Sequence, residues 1–264
     1  KEYLAYKTFP IDVALLRGTT ADENGNVTME KEALTLETQA MAMATKNSGG
    51  IVIVQVEGIA SAGSLKPKEV KIPGILVDYV VVARPENHWQ TFAEKYDPAL
   101  SGERKIPVAS LPKMEMNARK IVARRAAQEL KPGQVVNLGI GMPEGISNIA
   151  NEEEILDQIT LTAEPGIIGG LPCGGLSFGA GINPDAIIDQ PSQFDFYHGG
   201  GLDMAFLGLA QVDQEGNLNV SKFGIKMSGA GGFIDITQNA KQVVFTGTFT
   251  AGKLSVSIQN GQLS

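Results

Sequence analysis

Apolar residues along this chain fall into short continuous runs that alternate with segments of helical spacing. Runs rich in β-branched residues at 51–56 and 75–82 predict strands that are buried on both faces. Further strands are predicted at residues 13–16, 135–141 and 159–163, and helices at residues 33–46, 115–130 and 146–155. Because strands and helices follow one another in turn, the pattern predicts an α/β protein with parallel sheets.

The chain also resembles itself. Residues 12–27 align without gaps to residues 203–218, and residues 45–52 match 237–244 in the same order. The alternative is that strands ending in Asn-Gly or Glu-Gly-Asn turns look alike. A polar, proline-bearing stretch at 84–112 separates the copies and is interpreted as a linker. We therefore predict two tandem domains of one fold, 1–110 (including the linker) and 111–264.

The repeat predicts whether each copy of the domain is complete in this chain. The segment from about Glu115 to the second copy has no counterpart ahead of Asp12. Ser264 corresponds to about Ile72, so the second copy stops before a partner for the strand at 75–82. On this reasoning the chain is expected to be truncated at both ends.

Composition narrows the function classes. The 264 residues are 43% hydrophobic and 19% charged, which fits a soluble globular protein, and no apolar run approaches the ~18 residues of a membrane span. The net charge of −7 argues against nucleic-acid binding. Cys173 is the single cysteine, so disulfide frameworks and cysteine-cluster metal sites are excluded and a reducing compartment is expected.

A first glycine loop follows the predicted strand at 135–141 and precedes a predicted helix. Its spacing is Gly-x-Gly-x-x-x-Gly with a proline inside, which disfavours a dinucleotide fingerprint and hence a nicotinamide cofactor. A loop that presents backbone donors to an anion or oxyanion fits better. The candidate residues are Gly139, Ile140, Gly141, Met142 and Pro143.

Glu164 directly follows the predicted strand at 159–163. A carboxylate at the C-terminal end of a parallel strand lies where open sheets bind ligands, and Gly166, Gly169 and Gly170 would admit a substrate closely. An ionised glutamate can attack an activated carbonyl without a general base. The alternative from the pattern alone is a carboxylate that only caps the next turn.

A second glycine loop lies at residues 229–233. Successive glycine N–H groups can form a nest for the negative charge of a tetrahedral intermediate, although a structural turn fits the pattern equally well. His198 is open to a catalytic or a structural role. The loop comprises Gly229, Ala230, Gly231, Gly232 and Phe233.

Several further segments, together with these loops, carry a family resemblance. They are residues 9–15, 21–26, 71–78, 96–103, 192–197 and 247–252. With them the chain resembles family I coenzyme A transferases, specifically the propionate and acetate CoA-transferase branch. The resemblance runs essentially the full length. It implies two tandem open-sheet α/β domains of the CoA-transferase type, with family members longer at both ends.

The resemblance also implies roles. Glu164 matches the family's catalytic glutamate, and the two glycine loops match its oxyanion and CoA-contacting loops, with the N–H groups of Ile140 and Gly231 as oxyanion donors. The implied reaction moves CoA between a short-chain acyl-CoA and a free carboxylate such as acetate or propionate, by a ping-pong route through a glutamyl-CoA thioester. Pro165 departs from the family pattern, where a small or polar residue is more usual, and lacks a backbone donor.

Partners and alternatives follow from the same resemblance. CoA and acyl-CoA are expected as substrates, with no permanently bound cofactor and no metal. The protein is expected to be a cytoplasmic homo-oligomer, a tetramer by family resemblance, without nucleic-acid or membrane partners. The competing hypotheses are an inactive piece of such an enzyme and a nicotinamide-dependent oxidoreductase.

Overall fold

The computed structural model describes residues 5–250 and 256–263. They form two compact units: residues up to 107 together with 163–195, and residues 108–162 together with those from 196 onward. The segment that begins at Ala163 and contains Glu164 therefore packs with the first unit. Residues 251–252 of the resemblance, and Ser264 of the repeat argument, lie outside the described residues.

The described elements are short. The helices are α1 (Thr38–Asn47), α2 (Ala118–Ala127), α3 (Gly145–Glu152), α4 (Gln190–His198) and α5 (Phe233–Asn239). The strands up to the end of the predicted linker are β1 (Val13–Arg17), β2 (Thr20–Asp22), β3 (Val27–Thr28), β4 (Ile51–Val56), β5 (Gly58–Ala60), β6 (Val70–Ile72) and β7 (Tyr79–Val82).

The remaining strands lie beyond the predicted linker. They are β8 (Val135–Leu138), β9 (Thr160–Ala163), β10 (Ile167–Ile168), β11 (Leu171–Pro172), β12 (Gly181–Ile182), β13 (Ala186–Ile187), β14 (Met204–Gly208), β15 (Gln211–Val212), β16 (Leu218–Asn219), β17 (Lys222–Phe223), β18 (Lys226–Met227), β19 (Gln242–Thr246), β20 (Ile258–Gln259) and β21 (Gln262–Leu263).

The first unit contains a three-stranded parallel sheet in the order β1-β4-β7. Its core lies on one face only, where α1 packs on the sheet and side chains of β1 and β4 are buried. The other face is exposed at positions such as Leu15 and Tyr79. The prediction that both β-branched runs are buried on two faces is therefore wrong, because among residues 5–250 and 256–263 a helix covers just one side of them.

The first two helices begin later in the chain than predicted. α1 begins at Thr38 instead of residue 33, because Leu36 adopts a left-handed backbone with φ of +54° that interrupts helical geometry. α2 begins after Asn117, whose side chain accepts a hydrogen bond from the Lys120 N–H at 3.2 Å and caps the helix. Likewise, residues 75–82 yield the four-residue strand β7 after a 3₁₀ turn at Gly74–Leu76.

The second unit contains parallel strands in the order β9-β8-β14-β19. Helices α2 and α3 cover one face of this sheet and form a single core with it. The side chains of that core include Ala123, Ala126, Val136, Leu138, Ile146, Ile149, Leu161, Met204 and Phe206. The strand–helix–strand path thus gives the parallel sheet that the sequence predicts.

The internal repeat is visible in the hydrogen bonds within each unit. Asp22 Oδ1 accepts the Asn26 N–H at 2.9 Å, and its Oδ2 accepts the Asn26 side-chain amide at 3.0 Å. Asp213 does the same with the Asn217 N–H and side-chain amide, both at 2.8 Å. These are the pairs that the first aligned block predicts. Each set closes the turn of a β-hairpin. The strand before each hairpin also pairs in parallel with a later strand, β1 with β4 and β14 with β19, which supports a true repeat over chance similarity of turns.

The second aligned block needs one correction. β1 pairs with β4 as Val13↔Ile51, and β14 pairs with β19 as Met204↔Gln242, so Ile51 corresponds to Gln242. The sequence alignment had matched Ile51 to Val243. The helices before these strands end at Asn47 and Asn239, so the second copy has one residue fewer between helix and strand.

The stretch at 84–107 packs onto the first unit. It holds no long helix or strand, as predicted, but Ala99 and Leu100 are buried, and Leu100 lies in a cluster with Ala33 and Ala180. The Gln90 amide donates to the Lys31 carbonyl at 2.7 Å and ties the stretch down. This part of the chain is therefore packed against the first unit, and its role as an interdomain linker stays a prediction. Among the described residues, no helix is long and apolar enough to cross a bilayer.

Candidate active site

Two candidate segments follow the C-terminal ends of neighbouring parallel strands. β8 and β9 pair in parallel, with Asn137 opposite Thr162. The first glycine loop begins directly after β8, and Glu164 comes directly after β9. Ligands of open α/β sheets bind at this end of the strands.

Glu164 occupies a tight turn between β9 and β10. The Gly166 N–H donates to the Ala163 carbonyl at 3.1 Å and closes the turn, so the missing donor of Pro165 is not needed for closure. Gly166 has φ of +118°, and a Cβ there would lie 1.9 Å from the Ile188 carbonyl oxygen. Only glycine fits this position, which explains the glycine two residues after the glutamate.

Gln193 supports both sides of that turn from α4. Its side chain is fully buried, and its amide nitrogen donates to the Ala163 carbonyl at 3.3 Å and the Ile167 carbonyl at 3.2 Å. One side-chain NH₂ therefore holds the last residue of β9 and the first of β10. Sequence reasoning missed this role, although Gln193 lies in the family-like segment 192–197.

Some backbone N–H groups of the first glycine loop donate hydrogen bonds within the protein, and one does not. The Gly139 N–H donates to the Phe206 carbonyl at 2.8 Å, and the Gly141 N–H donates to the Glu144 carboxylate at 2.8 Å. Within the described part of the chain, the Ile140 N–H between them donates no hydrogen bond. Gly141 has φ of +89° with open space around the Cβ position, so a ligand can approach the backbone there.

The second glycine loop shows the same contrast. The Gly229 N–H donates to the Ser221 carbonyl at 3.1 Å, and the Phe233 N–H donates to the Ala230 carbonyl at 3.2 Å. The three amides of residues 230–232 have no acceptor among residues 5–250 and 256–263. Gly229 and Gly231 adopt φ of +77° and +56°. The loop can thus present several unbonded N–H groups to an anion.

A buried polar network lies beneath the ends of β8 and β9. Tyr197 is fully buried on α4, and its hydroxyl lies 2.8 Å from Thr162 Oγ1 and 3.1 Å from Asn137 Oδ1. Thr162 in turn donates to the Val136 carbonyl at 3.1 Å. The network therefore ties both strands to one helix, close to where the two candidate segments begin.

Two other candidate groups have identifiable surroundings. His198 Nε2 lies 2.8 Å from Asp235 Oδ1, and both side chains are about half exposed, so the pair links α4 to α5 on the surface of the second unit. Burial raises the pKa of the Cys173 thiol to about 11, which keeps the sulfur protonated at neutral pH. Across residues 5–250 and 256–263, no cluster of three His, Cys, Asp or Glu side chains could hold a metal ion.

A model of the coenzyme A transferase family matches residues 1–83 and 119–247. The chain belongs to the coenzyme A transferase family. Its caffeate CoA-transferase relative from Acetobacterium woodii is 52% identical over 269 residues, covering 100% of this chain and 51% of that protein. The acetate CoA-transferase YdiF of Escherichia coli O157:H7 is 45% identical over 264 residues, covering 100% of this chain and 50% of that protein.

Solved structures of this family agree. A crystal structure of the acyl-CoA transferase YdiF from E. coli O157:H7, described as a thioester complex with CoA, superimposes with a TM-score of 0.83 at 43% identity. It covers 100% of this chain and 48% of that one. The predicted family and its α/β fold are confirmed. This coenzyme A transferase chain spans about half the length of the relatives it matches.

Proposed function

We propose that this chain carries the nucleophile of an enzyme that transfers CoA between a short-chain acyl-CoA and a free carboxylate, and that the nucleophile is Glu164. The observation that supports this most directly is the placement of Glu164 at the end of β9, in a turn closed by Gly166 and supported by Gln193. Membership of the coenzyme A transferase family supplies the reaction class.

The proposed chemistry needs only the carboxylate and backbone donors. The Glu164 carboxylate attacks the thioester carbonyl of acyl-CoA and expels CoA thiolate, which leaves an acyl-glutamyl anhydride. The thiolate then attacks the glutamyl carbonyl, releases the first carboxylate and forms a glutamyl-CoA thioester. A second carboxylate reverses both steps and leaves as the new acyl-CoA. No group outside the substrates and Glu164 changes its bonding.

Each step passes through a tetrahedral oxyanion. We assign the N–H groups of Ile140 and Gly231 as its donors by the family resemblance. In support, both amides, like those of Ala230 and Gly232, have no hydrogen-bond acceptor within the described residues. The flanking amides of Gly139, Gly141 and Gly229 are already engaged. Loss of one oxyanion donor typically costs about 100- to 1000-fold in turnover.

The acyl group that the enzyme accepts is a separate question. Acetate and propionate are proposed from the sequence resemblance and from the acetate CoA-transferase YdiF. The caffeate CoA-transferase relative has the higher identity and makes caffeate a second candidate. Pocket contacts worth about 1–3 kcal/mol per methylene decide such preferences, so an exchange assay with all three acids resolves them.

We further propose a cytoplasmic homo-oligomer, a tetramer by family resemblance, that holds no permanent cofactor. Size-exclusion chromatography with light scattering measures the assembly. A spectrum free of cofactor absorbance is expected, and bound nicotinamide would favour the oxidoreductase hypothesis.

Mass spectrometry after a single turnover tests the nucleophile. The protein is mixed with acetyl-CoA, propionyl-CoA or caffeoyl-CoA, quenched and digested. We expect an adduct of CoA mass on the peptide that contains Glu164, its absence in Glu164→Gln, and its retention in Glu215→Gln, a control carboxylate in a hairpin turn. Exchange of CoA by a Glu164→Gln variant would refute the assignment.

The incomplete-piece alternative predicts a different result. If the chain melts cooperatively but forms no adduct and exchanges no CoA, these 264 residues hold the nucleophile without the rest of the machinery. A longer protein that restores the adduct on the same peptide would then support the role of Glu164.

A further inference from the structure

A cavity of about 460 Å³ lies in the first unit, at the carboxyl ends of its three parallel strands. Arg17 ends β1, Glu57 directly follows β4 and Ala83 directly follows β7, and all three residues line the cavity. The rest of its wall comes from residues within the segments 31–32 and 85–96. Open α/β sheets bind ligands at this end of their strands, and the volume is that of a typical small-molecule site.

His88 places a hydrogen-bond donor in this cavity. Gln55 Nε2 donates to the Asn87 carbonyl at 3.1 Å, and because a carbonyl only accepts, this bond fixes which end of the Gln55 amide carries the hydrogens. The same nitrogen lies 3.0 Å from His88 Nδ1, which must therefore be an acceptor. The proton of the neutral imidazole ring is then on Nε2.

The Nε2–H group of His88 is buried without an acceptor. The His88 side chain is only 8% exposed, and within the described residues its Nε2 has no hydrogen-bond partner. Glu32 Oε1 lies 3.4 Å away, which is longer than a normal hydrogen bond. Since proteins rarely leave a buried donor unpaired, the position favours an oxygen atom of a ligand.

Glu32 determines which ligand oxygen fits beside His88. The Glu32 side chain is 5% exposed, and Arg17 Nε and Nη2 approach its two oxygens at 2.7 and 3.3 Å. A ligand carboxylate at this position would face the Glu32 carboxylate, which disfavours its charged form. A ligand hydroxyl can accept from His88 Nε2–H and donate to Glu32 Oε1. The pair therefore selects a hydroxyl.

Lys95 supplies a cation for another part of the ligand. Lys31, the other lysine of the cavity wall, forms an ion pair with Glu57 at 2.9 Å. In the part of the chain that the structure describes, Lys95 forms no ion pair. Its ammonium lies 5.5 Å from the centre of the Trp89 ring, a cation–π contact that holds it beside the cavity. A carboxylate is the organic group that such an ammonium binds by charge-assisted hydrogen bonds.

We propose that this cavity binds a hydroxylated carboxylic acid. The hydroxyl bonds to His88 and Glu32, the carboxylate binds Lys95, and Ala83 and Pro85 provide apolar surface for the carbon skeleton. Such an acid has two sources, a substrate of the proposed CoA transfer or a regulatory acid that does not react. The binding site itself depends on the cavity and on His88, and is independent of the role of Glu164.

Heteronuclear NMR of the histidine ring nitrogens tests the site in the 264-residue chain. The chain has two histidines, and His198, whose side chain is about half exposed and lies beside Asp235, is the internal control. We expect His88 to carry its proton on Nε2, and titration with para-hydroxycinnamate to shift the His88 signals while those of His198 stay unchanged. Gln55→Leu should let the His88 proton occupy either nitrogen, because it removes the donor to Nδ1.

Pairs of acids that differ by one hydroxyl measure the selectivity. Para-hydroxycinnamate should bind about 10- to 100-fold more tightly than cinnamate, and β-hydroxybutyrate should exceed butyrate by a similar factor, since the hydroxyl donates to a charged group. His88→Phe should bring both members of a pair to within about threefold of each other. Lys95→Met should weaken both members equally, whereas Lys66→Met, at an exposed ion pair outside the cavity, should change neither.

Two results would overturn the proposal. One is a preference below about threefold in both pairs, and the other is a preference that survives in His88→Phe. If His88→Phe does not melt cooperatively, unchanged His88 signals of the wild-type chain in the presence of both hydroxylated acids refute the site.

The two sources of the acid are separated with Glu164→Gln. This variant should bind para-hydroxycinnamate with the wild-type Kd, because Glu164 does not line the cavity. Exchange of CoA onto the bound acid by the wild-type protein identifies a substrate, and binding without exchange identifies a regulatory acid. A failure of the proposed nucleophile would therefore leave the binding result intact.

Discussion

Replacing Gln193 by leucine should loosen the turn that carries Glu164. The leucine side chain has a similar volume, so the change removes the amide while leaving little cavity. The Ala163 carbonyl keeps its bond from the Gly166 N–H, but the Ile167 carbonyl loses the Gln193 donor inside the core. The two lost bonds are 3.3 and 3.2 Å long, at the weak end of the normal range.

We therefore expect a loss of about 1–2 kcal/mol in the free energy of unfolding. For a chain of 264 residues this corresponds to a fall in Tm of roughly 2–8 °C. Thermal denaturation followed by circular dichroism measures it, with Ser192→Ala, an exposed neighbour on α4, as the control. In a protein that transfers CoA, kcat should fall by about 10- to 100-fold with little change in KM, because the carboxylate is displaced and binding is not.

The reasoning fails if the Tm of Gln193→Leu equals that of Ser192→Ala and kcat is unchanged. A fall in Tm without a fall in kcat would also be informative. It would keep Gln193 as a core residue and remove it as a positioning residue for Glu164.

Two further predictions concern charge. The hydrogen bond from the Tyr96 hydroxyl to Glu103, together with burial, raises the tyrosine pKa from 10.0 to about 12. The stabilisation from this bond is complete below pH 10 and is lost towards pH 12. Phenolate absorbance should show the late titration, and Glu103→Gln should move it back towards pH 10. Burial raises the pKa of Glu152, but hydrogen bonds from Lys120 and a backbone N–H outweigh it and lower the pKa overall. Lys120→Met should therefore cost about 3 kcal/mol near neutral pH in urea unfolding, with the difference from wild type shrinking below pH 4.5, whereas Lys66→Met, at an exposed pair, should change little.

The strands of both sheets were largely predictable because their signal is local. Short apolar runs such as those in β1 and β4 predict strands. The two hairpin turns have the same residue pattern, with Asp22 bonded to Asn26 and Asp213 bonded to Asn217. What covers each strand is a property of the whole fold. The sequence of β7 is as apolar as that of a two-sided core strand, yet most of its residues are exposed. Burial on both faces was therefore the wrong inference from a correct strand.

Some features of the candidate site could likewise be predicted from the sequence, and others could not. Glu164 and the two glycine loops could be found from residue type and strand position, because glycine and acid at strand ends carry recognisable chemistry. The supporting role of Gln193 could not, since a single buried amide on a helix has no periodic signature. Nor does sequence tell which amide of a loop is unbonded: Gly139 and Gly141 donate to internal acceptors, while Ile140 between them does not.

The two copies of the fold also differ where chemistry is proposed. Aligned on the helix ends at Asn47 and Asn239, the first turn of α1, Thr38–Ala40, corresponds to residues 230–232. In the first copy that turn is helical. In the second, Gly231 adopts φ of +56°, the helix begins only at Phe233, and the amides of 230–232 are turned into a loop with open space.

The glycines of the second copy lower the stability of a helical turn at this position. Glycine in place of alanine costs a helix about 1 kcal/mol per residue, and the second copy has glycine at two of the three positions. The first copy shows that the same fold accommodates a complete helical turn there. The glycines thus disfavour a helical turn, which is lost in the copy whose sheet leads into Glu164 and the other glycine loop and is kept in its counterpart. Natural proteins accept such local losses mainly at functional sites, so the contrast favours an oxyanion role for Gly231 over a purely structural turn.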